Sequence, residues 1–434
     1  MTASTQTVTQ PNRSATLRTI IGSPVWMVAV GLAVRVVLMF VGRTYHQAVM
    51  PQGQVNEMER LAYSLAVGHG FSDPYVINTG PSAWTPPLYP WLLAMAFRVF
   101  GVYSHAASIV MLLFNSICAA LTSWTLYRIA CCIFNQSVAA WMGWVWALLP
   151  YSIRWSTTWL WETTLSAFLL SLLFMLSLEM EDNDRLLWWS GYGLLWGIAA
   201  LTNTAMLAFL PFSGAWLAYH LYRRGKRVIV PVVLSAVVFW ASITPWLVRN
   251  YSVFGEFVFI RDNLGNELRA GNNPLAQGWN ATQYHAGYNP TLLREFAEIG
   301  EPAINAEQET EAQVWIREHP ARFVVLCLRR FYYFWAGVPT TWGGDMRTGV
   351  DRVKNWIFLL SSILAWGGLI LAIKRRVHGA FLFTTLVLFY PLVYYVTFPA
   401  ARYRHPIDPE LTLLAVFLLW SIVAGARART SVTS

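Results

Sequence analysis

Apolar runs of about twenty residues recur along the whole chain, and they limit its fold more than any other feature. A backbone inside a lipid bilayer cannot hydrogen-bond to water, so only helices and closed barrels span membranes. The runs are continuous rather than alternating, and their length suits a spanning helix. Of the 434 residues, 56% are hydrophobic and 12% are charged, whereas about a quarter of a soluble domain is charged. The sequence therefore predicts an all-α polytopic membrane protein.

Ten spanning helices are predicted from these runs. Short loops rich in arginine and lysine follow the sixth, eighth and tenth, and Arg13 and Arg18 precede the first. The positive-inside rule then places both termini in the cytoplasm. The net charge of +9 is concentrated in these loops, so we expect no nucleic-acid partner. The predicted spans are 22–43, 105–127, 136–153, 160–180, 187–203, 205–222, 228–247, 355–373, 379–397 and 409–425.

This orientation divides a protein of the cell (plasma or inner) membrane into five parts. Residues 321–335 are apolar enough for a span, but they carry Arg322, Arg329 and Arg330. We expect an interfacial helix there, with its arginines facing the lipid headgroups. The parts are a cytoplasmic tail 1–21, a transmembrane module 22–247 with a first outer loop 44–104, an extracytoplasmic region 248–354 that includes the interfacial helix, transmembrane helices 355–425, and a cytoplasmic tail 426–434.

The first outer loop is too polar to span the membrane and too aromatic for a plain linker. Glu57 and Glu59 stand in its first half, and the rigid sequence from Pro86 to Pro90 (PPLYP) closes it. Prolines fix the backbone, which favours a loop held in one shape against the membrane. A carboxylate held there is a candidate general base, and partial burial would raise its pKa. The alternative is that both glutamates are solvated loop charges.

Other charges also lie at the predicted outer face. Glu162 stands where the fourth span begins, so either the helix dipole stabilises it or it faces a cavity shared with the first loop. Arg402 and Arg404 flank a tyrosine between the ninth and tenth spans, and Arg249 ends the seventh. Guanidinium groups bind phosphate oxygens bidentately, so the three arginines are candidate phosphate ligands. Anchoring to lipid headgroups is the alternative. Arg35, alone inside the first span, must face other helices.

Several chemistries lack their sequence signals. No glycine-rich loop with a lysine indicates the use of ATP. No cluster of cysteines and histidines has zinc spacing, and the histidines are scattered along the chain. We therefore predict no cofactor and assign no metal ligands. A divalent metal on Glu57 or Glu162 stays open as an alternative, although nothing in the sequence supports it.

The order of these features resembles the protein mannosyltransferase and aminoarabinose transferase group, the family 39-like glycosyltransferases of the GT-C fold. The resemblance rests mainly on the segment from Leu61 to Phe71 (LAYSLAVGHGF) and on the PPLYP turn. The pair Glu162-Thr163, the stretch 271–274 (GNNP) and the segment Arg402-Tyr403-Arg404 are weaker matches. Together these motifs extend the resemblance over most of the chain, about residues 20–425.

The resemblance implies a GT-C-type helix bundle and an inverting transfer at the extracytoplasmic face. The sugar donor would be linked to a polyprenyl phosphate, and the acceptor would be a lipid, a glycan or a protein. The family's usual first-loop aspartate would fall near Gln54. Glu57 is therefore the predicted base, with Glu59 as its substitute.

Further roles follow from the same resemblance. Glu162 would orient the acceptor or the base. Arg402 and Arg404, with Arg249, would hold the donor phosphate, and Pro86, Pro87 and Tyr89 would shape the substrate loop. The module 22–247 would hold the catalytic carboxylates.

Two other functions stay open. A transporter or flippase of lipid-linked sugars would need a polar pathway through the membrane, whereas these charges, Arg35 excepted, lie at its outer edge. A catalytically degenerate member of the family would account for Gln54 at the position of the usual aspartate.

Overall fold

Helices form almost all of the regular structure in the described residues. The structure is a computed structural model that describes residues 22–48, 56–341, 344–345 and 349–430. Gln54 and the tail 1–21 lie outside these ranges, as do residues 431–434 of the second predicted tail. The predicted all-α polytopic class is confirmed.

The helices follow one another along the chain with mostly short connections. Three 3₁₀ turns interrupt them, at Thr204–Ala208, Thr282–Tyr284 and His405–Ile407, and strands β1 (Thr340–Thr341) and β2 (Gly344–Asp345) pair antiparallel. In chain order the helices are α1 (Pro24–Val41), α2 (Tyr45–Ala48), α3 (Glu57–Val67), α4 (Leu88–Phe100), α5 (His105–Ile133), α6 (Gln136–Leu148), α7 (Pro150–Thr158), α8 (Thr163–Glu179), α9 (Leu186–Thr202), α10 (Leu210–Arg223), α11 (Ile229–Phe254), α12 (Leu264–Gly271), α13 (Pro290–Ile299), α14 (Glu301–Glu318), α15 (Pro320–Ala336), α16 (Gly349–Lys374), α17 (Ala380–Phe389), α18 (Leu392–Val396), α19 (Ala401–Arg404) and α20 (Asp408–Thr430).

Five helical stretches in the described residues are long and apolar enough to cross a membrane. They are α1, α5, α11, Val353–Lys374 of α16, and Ala401–Arg427, which includes α19 and most of α20. The shorter apolar helices are α4, α8, α9 and the pair α17–α18. At 1.5 Å per residue, a helix of 17 residues reaches about 25 Å, and the hydrocarbon core is about 30 Å thick. The count of ten spans therefore stays a prediction.

Two of the predicted spans are interrupted at prolines. The third, 136–153, consists of α6 and the start of α7, which meet at an extended Leu149 before Pro150. The ninth, 379–397, is divided at Pro391 between α17 and α18. Proline lacks an N–H and so removes a helical hydrogen bond at both breaks. It also disfavours a helical conformation in the residue before it, as the extended Leu149 shows, whereas Tyr390 before Pro391 keeps helical angles. The continuous apolar composition of both segments concealed these breaks.

Arg35 of α1 donates hydrogen bonds to the carbonyls at the first of these breaks. Because α6 ends there, its last carbonyls lack partners within the helix. Arg35 Nη1 donates to the Ala147 carbonyl at 2.7 Å and Nη2 to the Trp146 carbonyl at 3.4 Å. Its Nη2 and Nε also donate to the Ser152 and Ser156 hydroxyls of α7. The prediction that Arg35 faces other helices is confirmed.

Close packing of α9 on α11 depends on two glycines. A Cβ at Gly193 would lie 2.2 Å from the Ser235 carbonyl oxygen, and one at Gly197 would lie 1.8 Å from Ser242 Oγ. Small residues four apart let membrane helices approach closely. Larger residues here would push the two helices apart.

Gly193→Ala should destabilise the protein by about 1–3 kcal/mol, the usual cost of overpacking. The added methyl group meets backbone atoms of Ser235, which cannot rotate away. Thermal unfolding of the detergent-solubilised protein measures the effect. Gly191→Ala is the matched control, because it lies on the same helix and an added Cβ there has no heavy atom within 4 Å. Equal melting temperatures for the two variants would contradict this packing.

Helices α12 to α15 lie between α11 and α16, in the region predicted to be extracytoplasmic. The predicted interfacial helix is α15, and its Arg322 and Arg329 are exposed. Arg330 is fully buried and donates to the carbonyls of Val396 and Gly271, the last residues of α18 and α12. The prediction that Arg330 faces headgroups is therefore wrong. Its side chain instead supplies partners to carbonyls that two helix ends leave unsatisfied.

Candidate active site

Glu57 is the first residue of α3, and its side chain is buried. His285 Nε2 lies 3.3 Å from Glu57 Oε1. The Gly287 N–H donates to His285 Nδ1 at 3.1 Å. The hydrogen-bond network therefore assigns the proton of the neutral ring to Nε2. In this tautomer, His285 donates to the Glu57 carboxylate and orients it.

The surroundings of Glu57 favour its ionised form. Burial raises the pKa of the carboxyl, but the hydrogen bond from His285 and the charge of Arg402 outweigh burial and bring the pKa below its usual value. The N-terminus of α3 favours a negative charge in the same way. The prediction that burial would leave this pKa raised is wrong for Glu57. Tyr288 shares this environment, since burial and the Glu57 charge raise the pKa of its hydroxyl.

Arg402 of α19 supplies positive charge to the site. Its Cζ lies 4.7 Å from the centre of the Trp161 ring and 5.0 Å from that of Tyr403. Its Nη2 donates to Tyr403 Oη at 3.1 Å. Arg402 also interacts electrostatically with Tyr403, Glu57 and Glu162. Arg402 is therefore a charged group held by aromatic rings, and it interacts electrostatically with both carboxylates.

Glu162 immediately precedes α8. Its backbone carbonyl accepts the first helical hydrogen bond, from the Ser166 N–H at 2.8 Å. The side chain is half-buried, and its buried Oε2 has no hydrogen-bond partner among the described residues. Leaving a buried carboxylate oxygen unsatisfied is costly. Glu162 thus offers an acceptor beside Arg402 that a bound molecule could satisfy.

Glu59 follows Glu57 on α3 but faces a different way. Two residues along a helix correspond to a rotation of about 200°. Its Oε1 accepts from Asn56 Nδ2 at 2.8 Å, and its backbone carbonyl lies 3.5 Å from Tyr103 Oη. The structure therefore separates the two glutamates: Glu57 contacts His285, and Glu59 contacts Asn56.

Arg404 is buried away from the Glu57 group. Its Nε donates to Asp408 Oδ1 at 2.8 Å. Its Nη1 and Nη2 donate to the hydroxyls of Ser362 and Ser361 at 2.7 and 2.8 Å. Its Cζ also lies 3.9 Å from the centre of the Phe358 ring. These contacts join the segment before α20 to α16, so Arg404 fixes α19, which also carries Arg402.

Arg249 of α11 holds the first outer loop. Its Nη2 donates to the Phe71 carbonyl at 2.8 Å, and its Nη1 donates to the Ser82 carbonyl at 2.7 Å. Its Cζ lies 4.8 Å from the centre of the Trp246 ring. The donors of Arg249 are thus directed at the backbone of the loop.

The predicted substrate loop is a rigid support for α4. Pro87 precedes α4, and both Pro86 and Pro87 have little exposed surface. Tyr89 is fully buried, and its hydroxyl accepts from Asn115 Nδ2 of α5 at 3.0 Å. This hydrogen bond fixes the start of α4 on the helix bundle.

Glu301 holds the same loop from the other side. It is buried at the start of α14, and its Oε2 accepts from Ser82 Oγ at 2.6 Å. Its Oε1 accepts from the Ala83 N–H at 2.5 Å. Burial raises the pKa of Glu301 to about 8, against the opposing effect of these two hydrogen bonds.

Stability should fall as the pH rises through the interval in which Glu301 is ionised only in the unfolded chain. That interval runs from about 4.3, the ordinary value for glutamate, to its folded-state pKa of about 8. Below this interval Glu301 is protonated in both the folded and the unfolded protein, so its stabilisation is fully present. Within the interval, one such group changes the free energy of unfolding by at most about 1.4 kcal/mol per pH unit. Melting temperatures between pH 5 and pH 8.5 should therefore decline less in Glu301→Gln than in the unmodified protein. Glu307→Gln, exposed on the same helix, is the control, and parallel profiles for all three proteins would refute the assignment.

His285 and Glu301 are important residues of this region that the sequence did not reveal. His285 lies in a stretch of turns with no motif around it, and Glu301 is one of several acids in a helical segment. Their significance comes from contacts with Glu57 and Ser82, which are far away in the sequence.

Comparison with known proteins agrees with the resemblance stated from the sequence. Residues 85–248 match the model of the dolichyl-phosphate-mannose-protein mannosyltransferase family. That segment contains the PPLYP turn, Glu162 and the helices from α4 to most of α11. No curated protein matches the chain significantly. The chain is thus a multi-pass membrane protein, and its resemblance to this family of glycosyltransferases is confirmed over that segment.

Solved structures of two membrane proteins align with most of the chain. An apo-form oligosaccharyltransferase from Archaeoglobus fulgidus aligns with 94% of it at 14% identity, with a TM-score of 0.49. ArnT from Cupriavidus metallidurans bound to undecaprenyl phosphate aligns with 92% of it at 14% identity, with a TM-score of 0.38. The aligned parts are 52% of the archaeal enzyme and 79% of ArnT. The chain thus spans about half the length of the archaeal enzyme.

Proposed function

We propose that this protein transfers a sugar from a polyprenyl-phosphate donor to an acceptor hydroxyl or amine at the extracytoplasmic face. The observation that carries the proposal is the convergence of Glu57, His285, Glu162 and Arg402 from four separate parts of the chain. A family match over residues 85–248 supports the same reaction class. The carboxylates suit a nucleophilic acceptor, and the arginine suits a phosphate leaving group.

Glu57 is the proposed base. It is ionised at neutral pH, since its pKa is lowered, and His285 holds it in one orientation. The acceptor loses its proton to the Glu57 carboxylate while its oxygen or nitrogen bonds to the anomeric carbon. The bond from that carbon to the phosphate oxygen breaks, and its electron pair leaves with the polyprenyl phosphate. A single displacement of this kind inverts the anomeric centre.

Arg402 is the proposed ligand of the donor phosphate. Negative charge grows on that phosphate as the sugar leaves, and a guanidinium held in place stabilises it. The Trp161 and Tyr403 rings restrict the movement of the Arg402 guanidinium, so its side chain needs little reordering during the reaction. Glu162, with its unsatisfied oxygen, is the proposed partner of the acceptor's donor group. Arg404 and Arg249 position the surrounding segments.

A direct test is transfer of labelled sugar from polyprenyl phosphate to membrane-extracted acceptors by the purified protein in lipid nanodiscs. We expect labelled acceptor with the unmodified protein and none above background with the double variant Glu57→Gln/Glu162→Gln. Equal transfer by both would refute the proposal. Movement of the lipid-linked sugar across liposomes without any transfer would instead identify a flippase.

A further inference from the structure

Glu181, His220 and His378 form a second polar cluster, at the opposite end of α8 from Glu162. Glu181 follows the C-terminus of α8, His220 lies in the last turn of α10, and His378 precedes α17. Glu181 lies nineteen positions after Glu162, which corresponds to about 28 Å along a helix. The cluster is therefore remote from the proposed sugar-transfer site, and its function is independent of that proposal.

The three side chains present one ligand atom each to a common point. His378 Nε2 lies 2.7 Å from Glu181 Oε1, and His220 Nε2 lies 4.0 Å from Glu181 Oε2. All three ligand atoms lie within 4.8 Å of one another. We propose that they bind a divalent transition metal, with Zn²⁺ as the best match. Two imidazoles and one carboxylate are an established zinc ligand set, which leaves a fourth position for water.

The tautomer of His220 supports a cation at this point. Its Nδ1 lies 2.9 Å from the Trp216 carbonyl oxygen. That oxygen can only accept, so the hydrogen-bond network places a proton on Nδ1. In the neutral ring, Nε2 then presents a lone pair toward the Glu181 carboxylate. Two acceptors facing each other repel, and a metal ion between them removes the repulsion.

Neighbouring groups resemble the outer contacts that metal sites use. A metal-binding histidine usually donates its other N–H to a carbonyl, as His220 does to Trp216. Trp216 Nε1 also donates to Glu181 Oε1 at 2.9 Å and so orients the carboxylate. Arg224 Nη2 stands 4.0 Å from Glu181 Oε2 and is the competing cation, but its Nη1 is paired with Asp182 at 3.2 Å.

A metal here would stabilise the folded protein rather than take part in sugar transfer. Its ligands come from the end of α8, from α10 and from the turn before α17, which are distant in sequence. Cross-linking these three segments would stabilise the folded state by the binding free energy of the metal. The sequence could not reveal the site, because the ligands lack the close spacing of a zinc motif.

The test is zinc binding by the full-length protein, purified in detergent and stripped with a chelator. Elemental analysis after dialysis against ZnCl₂ should find one equivalent that is lost in His378→Gln and in His220→Ala. Added Zn²⁺ should raise the melting temperature of the unmodified protein and leave that of both variants unchanged. His378→Gln is the decisive variant, because His378 is half-exposed and glutamine can still donate to Glu181.

Two controls exclude binding elsewhere. His69→Ala removes an exposed histidine of the first outer loop and should keep the zinc and the rise in melting temperature. Cys131→Ser/Cys132→Ser removes two exposed thiols and should also keep both. The proposal is overturned if no zinc binds, if both histidine variants keep the full equivalent, or if the cysteine variant alone loses it.

Discussion

Glu57→Gln should reduce sugar transfer by about 10²–10⁴-fold, the usual contribution of a positioned general base. Glutamine keeps the shape of the side chain and can still accept from His285 Nε2, but it cannot take a proton. The loss should appear in kcat, because the acceptor proton moves only as the new bond forms. Glu59→Gln is the matched control, two residues away on the same helix and hydrogen-bonded to Asn56 instead. A larger loss in Glu59→Gln than in Glu57→Gln would reverse the assignment.

The pH profile of the same assay gives this prediction a second readout. A base must be ionised, so activity falls as the pH drops through the pKa of Glu57, which lies below its usual value. The acid limb should therefore lie below pH 4.3, the ordinary value for glutamate. His285→Gln removes one of the lowering influences and should move the limb to higher pH. An unchanged limb would show that His285 does not act on the base.

Arg402→Ala should lower transfer by about 10²–10³-fold, as the loss of a preorganised group that stabilises developing charge usually does. Arg402→Lys should recover part of this activity, because it restores the charge without the planar fork between Trp161 and Tyr403. Initial rates with a labelled polyprenyl-phosphate sugar measure both variants.

An arginine of the same kind elsewhere serves as the control for Arg402. Arg329→Ala removes an exposed arginine of α15 and should leave the rate within twofold. Comparable losses in Arg329→Ala and Arg402→Ala would indicate a general effect of surface charge rather than a specific phosphate ligand.

The sequence predicted the helical membrane class and the outer-face charges because both follow from local composition. Glu57, Glu162 and Arg402 stood out as charges beside apolar segments. The choice between Arg402 and Arg404 could not be made in advance, because the two are separated by one residue in a short helical turn. One points toward the carboxylates, and the other is buried against α16. Hydrophobicity along the sequence does not show in which direction each of two arginine side chains this close together will point.

Other features depended on contacts between distant segments. His285 acquires its role only when α3 is brought beside the turns before α13. The break before Pro150 was concealed by the apolar composition of the segment. Its capping by Arg35 could not be predicted either, because the donor and the carbonyls belong to different helices. Long-range hydrogen bonds of this kind leave no local pattern.

Ser82 and Ala83 are hydrogen-bonded to two helices. Arg249 of α11 binds its carbonyl, while Glu301 of α14 binds its hydroxyl and the following N–H. A shift of α14 against α11 would therefore strain or break at least one of these bonds. Both sets of hydrogen bonds hold the loop between α3 and α4, and α3 begins with Glu57. A molecule that displaces α14 would therefore also move Ser82, and with it the loop next to the proposed base.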